Sequence, residues 1–453
     1  MEKLRNVIDN KLCVSCGFCD FYSKKKLEFN FRKETELFEP KIDDVNFDSK
    51  TFCPSINIDM VKNSIFKFNK SEPKSILGIY KKLYYGFSNN TKTRAVSASG
   101  GLVQEICKFL LDGKFVDEIY TTTHSNHYKK SRGIKLTKAQ NLTKISGSIY
   151  HGANYSSIIR KIKNTKKRFA FIGLPCQILA LQEIKMHNKK ILKNNFITIG
   201  LFCGGLIKLS GYKYYLKKFY SPEMLKKIKN LRYREKPWPG SFRVEFNKKF
   251  ELKPRLVGTS RLNIIRYMIA EHFNKNLRCK FCPDQLSDFA DISLGDPHFS
   301  KYSNNAEGGS FIITRTIKGL KIINKMQKKL RVSLFNASEK EIIDSQATLK
   351  TRRYISSSIF LSKFFLYNPP KIKNYKKYNK RFMFDLYMRI IFSLIKSRLG
   401  FGFFVRKFVA YPLQIVEYLF FMKTSKSFFR KLFEVILNKK VIINYKKSEI
   451  NHH

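Results

Sequence analysis

Three cysteines stand at two-residue intervals near the start of the chain, in the segment CVSCGFC. Thiols this close on one loop cannot all pair with each other as disulfides, and the loop directs Cys13, Cys16 and Cys19 toward a common point. The bacterial iron–sulfur run is C-x2-C-x2-C-x3-C-P, and Ser23 stands where its fourth cysteine would be. A Cys-Pro pair follows in TFCPSI, so Cys53 is the candidate fourth ligand.

The tight triple spacing favours an iron–sulfur cluster, with two alternatives. Four-cysteine zinc sites also use C-x2-C pairs, and the thiols can also stay unligated. Gly17 suits a loop that wraps a cluster, because glycine adopts positive φ and lets backbone amides approach sulfide. The first residues are charged and lack the apolar run of a secretory signal. We therefore expect a reducing cytoplasm, where C-x2-C indicates metal binding or catalysis.

Four of the other five cysteines also stand in distinctive contexts. RCKFCPD supplies a second C-x2-C pair, Cys279 and Cys282, while Cys176 in GLPCQ and Cys203 in LFCGG each follow an apolar run. Two strand-to-helix turns and one C-x2-C loop can converge on a second four-thiolate site. Cys107 lies in the apolar helical pattern LVQEICKFLL, and we expect it to be a small buried hydrophobic residue.

The middle of the chain has an α/β pattern. KRFAFIGL reads as a strand that ends in a turn before the helical run CQILALQEI, and NNFITIGLFC repeats the strand and the glycine turn. FADISLGDP and GGSFIITRT predict two further strands. A strand, a glycine turn and a helix in succession indicate a sheet whose sites lie at its strand ends.

A small-residue turn, SASGG, precedes the predicted helix LVQEICKFLL and contains Ser97, Ser99, Gly100 and Gly101. Free amides at a helix N-terminus attract phosphate, so this turn is a candidate cradle for a nucleotide or flavin phosphate. The alternative is an ordinary helix capped by a serine side chain.

The chain is strongly basic, with 88 Lys and Arg against 34 Asp and Glu and a net charge of +54. An anionic partner has to be considered, although drift toward lysine on solvated faces is the alternative. Nucleic-acid-binding motifs are absent from the sequence, so we expect no nucleic acid partner. Residues 352–453 mix large apolar and basic residues at helical spacing without an uncharged run of about 18 to 20 residues. They predict basic amphipathic helices outside the redox unit, either on an anionic membrane face or as a helical cap.

Several of these segments together resemble the family of coenzyme F420 hydrogenase/dehydrogenase beta subunits, preceded by a ferredoxin-type segment. They are SASGGL, GSIY, GLPCQ, CGG, CKFCPDQLSDFADISLGDP and SFIITRT, and the resemblance runs from about residue 10 to about residue 345. It implies an α/β (α+β) iron–sulfur flavoprotein core with a small N-terminal ferredoxin-like segment and a C-terminal helical basic tail. The divisions are a 4Fe-4S ferredoxin-type segment at 1–70, the family's N-terminal-like domain at 75–160, its C-terminal-like domain at 165–350, and the tail at 352–453.

The resemblance also implies the ligands of two 4Fe-4S clusters. One is ferredoxin-like, at Cys13, Cys16, Cys19 and Cys53, and the other lies near the flavin, at Cys176, Cys203, Cys279 and Cys282. The flavin phosphate is expected near Ser99, Gly100 and Gly101. Further candidates for lining that pocket are Tyr150, Asp296 and Arg315.

The resemblance finally implies a function. The chain is expected to be an oxidoreductase that passes electrons between FAD or FMN and 4Fe-4S clusters, with coenzyme F420 as the alternative to flavin. Its partner is a redox protein or a small-molecule substrate, such as a sugar or another intermediate of surface-polysaccharide biosynthesis. A non-catalytic electron-transfer subunit and a zinc-stabilised basic binding module are the alternatives. Because of its basic tail, the protein is expected to lie in the cytoplasm with a peripheral position on the inner face of the membrane.

Overall fold

The structure is a computed structural model, and its elements cover most of the chain before the basic tail. The residues described are 2–42, 51–123, 131–140, 142, 147–188, 196–208, 216, 219–238, 240–246, 255–257, 275–298, 301–346, 349 and 370–373. The amphipathic helices predicted for 352–453 therefore lie outside the described residues, apart from 370–373.

The elements alternate between strands and helices through much of the chain. Within the described residues the strands are β1 (Phe29–Arg32), β2 (Leu37–Pro40), β3 (Asn57–Asp59), β4 (Lys82–Ser88), β5 (Glu118–Thr123), β6 (Arg132–Leu136), β7 (Phe169–Gly173), β8 (Phe196–Leu201), β9 (Ile228–Glu235), β10 (Ser241–Phe246), β11 (Arg255–Val257), β12 (Ile292–Gly295), β13 (Ser310–Thr314), β14 (Val332–Asn336) and β15 (Lys371–Lys373). The α-helices of the same part are α1 (Glu2–Asp9), α2 (Cys19–Tyr22), α3 (Met60–Phe68), α4 (Thr91–Val96), α5 (Leu102–Asp112), α6 (Ser156–Asn164), α7 (Pro175–His187), α8 (Pro222–Lys226), α9 (Leu277–Lys280), α10 (Ile317–Lys328) and α11 (Glu339–Ser345).

Eight strands of the described chain form one mixed sheet in the order β14-β4-β13-β12-β8-β7-β5-β6. The four neighbours β12, β8, β7 and β5 run parallel, and the other pairings are antiparallel. Every residue of β7 and of β13 is buried, as expected for strands covered on both faces. The predicted strands in KRFAFIGL, NNFITIGLFC, FADISLGDP and GGSFIITRT are confirmed, as are the helices in CQILALQEI and LVQEICKFLL.

The strand directions collect the predicted motifs at one edge of this sheet. Cys176, Cys203 and Asp296 each follow the carboxyl end of one of the adjacent parallel strands β7, β8 and β12. Strand β13 runs the opposite way beside β12, so Gly309, just before it, lies at the same edge. We call this edge the site edge of the sheet.

The N-terminal segment packs directly on the large sheet. The ring of Phe18 meets Phe171 of β7 edge to face at 6.0 Å, in a core that also includes Ile158 and Ile159 of α6. Arg160 of the same helix donates from Nε to Asp20 Oδ2 at 3.1 Å. The first three cysteines are therefore held against the sheet by an apolar core and by an ion pair to a buried carboxylate.

A short strand from the start of the predicted tail also belongs with the N-terminal segment. Strand β15 pairs parallel with β3, and the Lys371 amide donates to Ile56 O at 2.8 Å. Ile372 packs against two of the apolar cores. The sequence assigned these residues to the tail. Among the described residues, none of the helices has the length and apolar character needed to cross a bilayer.

We predict that Ile372→Ala lowers the free energy of unfolding by about 1–2 kcal/mol. This is below the usual cost of about 2–5 kcal/mol for a fully buried isoleucine, because Ile372 is only partly buried. Urea unfolding measures it, with the exposed Lys371→Ala as the matched control. Equal stability of the two variants would contradict a role of Ile372 in holding the cysteine segment.

Candidate functional site

The structure brings the first cysteine set together around one loop. The electrostatic neighbours of the Cys19 thiol are the thiols of Cys16, Cys13 and Cys53. The loop turns at Gly17, where φ is +75° and a Cβ would lie 2.6 Å from the Ser156 backbone nitrogen. Only glycine fits this close approach to α6. We call this set the N-terminal cysteine group: Cys13, Cys16, Cys19 and Cys53.

Burial sets the protonation of this group. Burial, reinforced by the neighbouring thiol of Cys53, raises the pKa of Cys16 to about 12. Burial likewise raises the pKa of Cys13, Cys19 and Cys53. The thiols are therefore neutral unless a cation replaces their protons, as metal binding does.

Ser23, at the place of the missing ferredoxin cysteine, is fully engaged elsewhere. Its hydroxyl donates to Lys25 O at 2.6 Å and accepts from Arg160 Nη2 at 3.1 Å. Asp20 beside it also accepts from the Leu27 amide at 2.7 Å. Ser23 therefore closes the end of the loop through hydrogen bonds.

The second cysteine set lies at the site edge. The Cys203 amide donates to Gln285 O at 2.9 Å, and the Leu206 amide donates to Cys279 Sγ at 3.3 Å. These bonds join the loop after β8 to the C-x2-C loop. The electrostatic neighbours of Cys176 include Cys203 and Cys282, and also Cys16 of the N-terminal group. We call this set the sheet cysteine group: Cys176, Cys203, Cys279 and Cys282.

The two groups are therefore neighbours, and a buried arginine lies between them. Arg278, at the start of α9, donates from Nη2 to Pro54 O at 3.0 Å and has Cys282, Cys176 and Cys279 as electrostatic neighbours. Sequence reasoning missed it, although it directly precedes Cys279 in RCKFC.

The described cysteines do not form a compact site for a single metal ion. Among the described residues, no three His, Cys, Asp or Glu side chains lie close enough to hold one ion. Such a site requires compact ligands, since sulfurs bound to one zinc at 2.3 Å lie only about 3.8 Å apart. In a four-iron cluster each thiolate binds a different iron, so its ligands are spaced more widely.

Three predicted cofactor residues meet farther along the site edge. Asp296 forms an ion pair with Arg234, whose Nη1 lies 3.5 Å from the Tyr150 hydroxyl. Burial opposes ionisation of Asp296, but the charge of Arg234 and a hydrogen bond from His298 hold its pKa well below the usual range. The carboxylate is therefore charged in the folded protein.

Lys236 and Trp238, which sequence reasoning missed, complete this site. Lys236 Nζ donates to Ser99 O at 2.9 Å. Burial and the charges of Arg94 and Arg234 lower the pKa of Lys236 to about 8. Trp238 is 7 % exposed, its ring lies 5.5 Å from that of His298, and its Nε1 has no hydrogen-bond partner among the described residues. We use the name polar pocket for this cluster of contacting side chains, part of which the sequence predicts to line a cofactor site: Ser99, Tyr150, Arg234, Lys236, Trp238, Asp296 and His298.

The SASGG turn differs from the serine-cap alternative, and the phosphate cradle stays a prediction. Ser97 donates to Thr93 O at 2.7 Å and Ser99 donates to Gly309 O, while the N-cap of α5 is Gly101 without a side-chain hydrogen bond. The serine cap expected for this helix is therefore wrong. A Cβ on Gly100 would lie 2.9 Å from the Gly309 Cα, so this glycine lets the turn approach β13. Gly101 has φ +77°.

Two predicted residues lie away from these sites. Arg315 is fully buried beyond the carboxyl end of β13, opposite the site edge, and donates to Leu77 O and Leu286 O at 3.0 Å. Its donors join three segments of the fold, and it is not part of the polar pocket. Cys107 is fully buried in the apolar core under α5, as expected, and burial raises its pKa to about 12.

Comparisons with known proteins agree on one family. Sequence models described as "Coenzyme F420 hydrogenase/dehydrogenase, beta subunit" match residues 83–160 (N-term) and 166–340 (C terminus). The beta subunit of the F420-dependent formate dehydrogenase of Methanocaldococcus jannaschii is 24% identical over 283 residues, covering 62% of this chain and 69% of that protein. A subunit of the F(420)H(2) dehydrogenase of Methanosarcina mazei is 22% identical over 349 residues, covering 73% and 86%.

The fold is also that of a chain in a solved complex. That chain belongs to the F420-reducing [NiFe] hydrogenase complex from Methanosarcina barkeri, with a TM-score of 0.51 and 17% identity. The match covers 67% of this chain and 98% of that chain. The resemblance seen in the sequence motifs is thus confirmed at the level of the family.

We predict that Lys236 loses its proton near pH 8 in the folded protein. The unfolded chain keeps that proton up to the ordinary pKa of 10.5, so the free energy of unfolding should rise with pH between about 8 and 10.5. Competitive amine labelling with peptide mapping measures the pKa, and Lys236→Met should remove this part of the rise in stability. Lys229→Met, on strand β9 just before Lys236, is the control and should keep it. Titration of Lys236 above pH 10 would contradict the assignment.

Proposed function

Since the chain belongs to the family of coenzyme F420 hydrogenase/dehydrogenase beta subunits, we propose that it is an iron–sulfur flavoprotein subunit of an oxidoreductase. It passes electrons between a flavin or deazaflavin and 4Fe-4S clusters. One observation carries the proposal: two neighbouring four-cysteine groups and a polar pocket with an unpartnered buried donor share one edge of the sheet.

The cysteine groups fit clusters by their donor chemistry. Each supplies four thiols on loops, the usual ligands of a cubane cluster. Backbone amides already point at sulfur, since the Ser15 amide lies 3.4 Å from Cys13 Sγ and the Leu206 amide 3.3 Å from Cys279 Sγ. Amide hydrogen bonds to sulfur stabilise a thiolate and help to set the potential of a cluster.

The polar pocket fits a flavin or deazaflavin by its donors. Trp238 Nε1 supplies a buried donor that a ring nitrogen or carbonyl oxygen of the cofactor would satisfy. Arg234 is fixed by Asp296, and Lys236 adds a cation beside the SASGG turn for an anionic part of the cofactor. A flavin supplies exchange of two electrons with a substrate and of single electrons with clusters. The protein residues bind it, orient it and exclude water.

The relatives support a role inside a complex. Their names describe subunits of formate and F420H2 dehydrogenases, and the solved chain belongs to a hydrogenase complex. The second candidate is accordingly a non-catalytic electron-transfer subunit whose partner carries out the substrate chemistry. Coenzyme F420, which all three names include, is therefore a candidate for the polar pocket alongside FAD and FMN. The role in surface-polysaccharide biosynthesis stays a prediction from the sequence.

We predict that anaerobically prepared protein holds about eight irons, four in each cysteine group. Cys13→Ala should leave about four, because it removes one ligand of the N-terminal group only. Iron analysis with EPR of the reduced protein measures this, and Cys107→Ala, which changes a buried thiol outside both groups, should keep all eight. Stoichiometric zinc in place of iron would contradict the proposal.

We also predict that FAD, FMN or coenzyme F420 quenches the emission of Trp238, the only tryptophan in the chain. Titration of cofactor-free protein with each compound, corrected with N-acetyl-tryptophanamide, identifies the ligand. Trp238→Phe keeps a ring but loses the donor, so binding measured by cofactor absorbance should weaken by roughly 2- to 12-fold, the value of one hydrogen bond. Undiminished binding would show that the Trp238 donor does not bind the cofactor.

A further inference from the structure

Arg278 is buried in an unusual setting. Only 1 % of its surface is exposed, and both Nε and Nη2 donate to Pro54 O, at 3.2 and 3.0 Å. Pro54 directly follows Cys53, while Arg278 directly precedes Cys279. One guanidinium therefore links the backbone beside a ligand of the N-terminal cysteine group to the backbone beside a ligand of the sheet cysteine group.

Within the described part of the chain, no carboxylate balances this charge. No Asp or Glu there lies within 4.0 Å of the Arg278 guanidinium, whereas the other fully buried arginine, Arg315, pairs with Asp288 at 3.2 Å. A guanidinium cannot lose its proton in a protein, and a buried charge without an opposite charge is strongly destabilising. Among the described residues, the charge of Arg278 can therefore be balanced only by an anion of another kind.

Thiols from both cysteine groups surround the arginine. Its electrostatic neighbours are Cys282, Cys176 and Cys279 in the sheet group, and Arg278 is in turn a neighbour of Cys16 and Cys53 in the N-terminal group. Thiolates bound to iron carry the negative charge that Arg278 lacks.

We propose that Arg278 is the shared counter-cation of the two cysteine groups and raises the reduction potentials of both clusters. The inference rests on the proposed function, since it requires clusters in both groups. It makes Arg278 a positioning residue that acts through charge rather than as a ligand.

The sign of the effect follows from electrostatics. Each cluster gains one negative charge when it takes up an electron, so a nearby fixed cation stabilises the reduced state. Low exposure weakens solvent screening of this interaction. Because one charge acts on both clusters, it moves both potentials in the same direction. The potential difference that drives electrons from one cluster to the other therefore changes less than the potential that shifts more.

The test compares two variants of the full chain. Arg278→Gln removes the charge, and Arg278→Lys keeps the charge but loses the forked contact with Pro54. Potentiometric titration monitored by EPR gives both midpoint potentials, and iron analysis gives occupancy. Arg168→Gln, which removes a surface cation near Asp117, is the control for net charge and should leave both potentials unchanged.

We expect Arg278→Lys to keep its iron and nearly wild-type potentials, and Arg278→Gln to lower both. Loss of iron from the Gln variant alone would also support the proposal, because it shows that the charge is needed to hold thiolate clusters. Unchanged potentials in an iron-loaded Gln variant, a shift in one cluster only, or equal loss of iron from both variants would overturn it. Wild-type protein without iron would instead refute the proposed function.

Discussion

The arrangement of the candidate site depends on the parallel pairing of β7, β8 and β12. Parallel neighbours end at the same edge, so the residues that follow them meet although they are far apart in sequence. Antiparallel β13 brings its glycine-rich start to that edge, and the SASGG turn docks on it because Gly100 lets two backbones approach. Sheet topology thus puts cysteines and the polar pocket side by side.

Buried positive charge is a second constraint at this edge, and the fold meets it in two ways. Arg234 has a protein carboxylate, Asp296, which stays ionised despite its burial. Arg278 instead has the thiols of Cys282, Cys176 and Cys279 as electrostatic neighbours, and metal binding converts such thiols to thiolates. The charges of Arg234 and Asp296 balance each other without any bound group. Under the proposed function, loaded cysteine groups supply the negative charge beside Arg278, so we expect assembly of the clusters to be coupled to the stability of this region.

The local parts of this architecture could be predicted from sequence. The strand and helix patterns around Cys176 and Cys203 depend on short apolar runs and turns. The C-x2-C spacings, those turns and the Cys-Pro pair of TFCPSI pointed to the eight cysteines that we assign to the two groups. Lys236 and Trp238 were missed because they lie on a hairpin whose position depends on long-range packing. The sequence did contain a signal for these two residues. In KPWPG the only tryptophan of the chain lies between two prolines, and the lysine directly precedes the first of them.

The N-terminal cysteine group also shows why a motif does not define a domain. Its loop resembles a ferredoxin run, yet three separate parts of the fold hold it: α6 through Arg160, β15 beside β3, and α9 through Arg278. Each contact joins residues that are distant in sequence. The contacts fix the loop relative to the sheet cysteine group, which a flexibly tethered ferredoxin domain would lack. A fixed separation gives a constant rate of electron transfer between two clusters, so the docking of this segment serves the proposed function as much as its cysteines do.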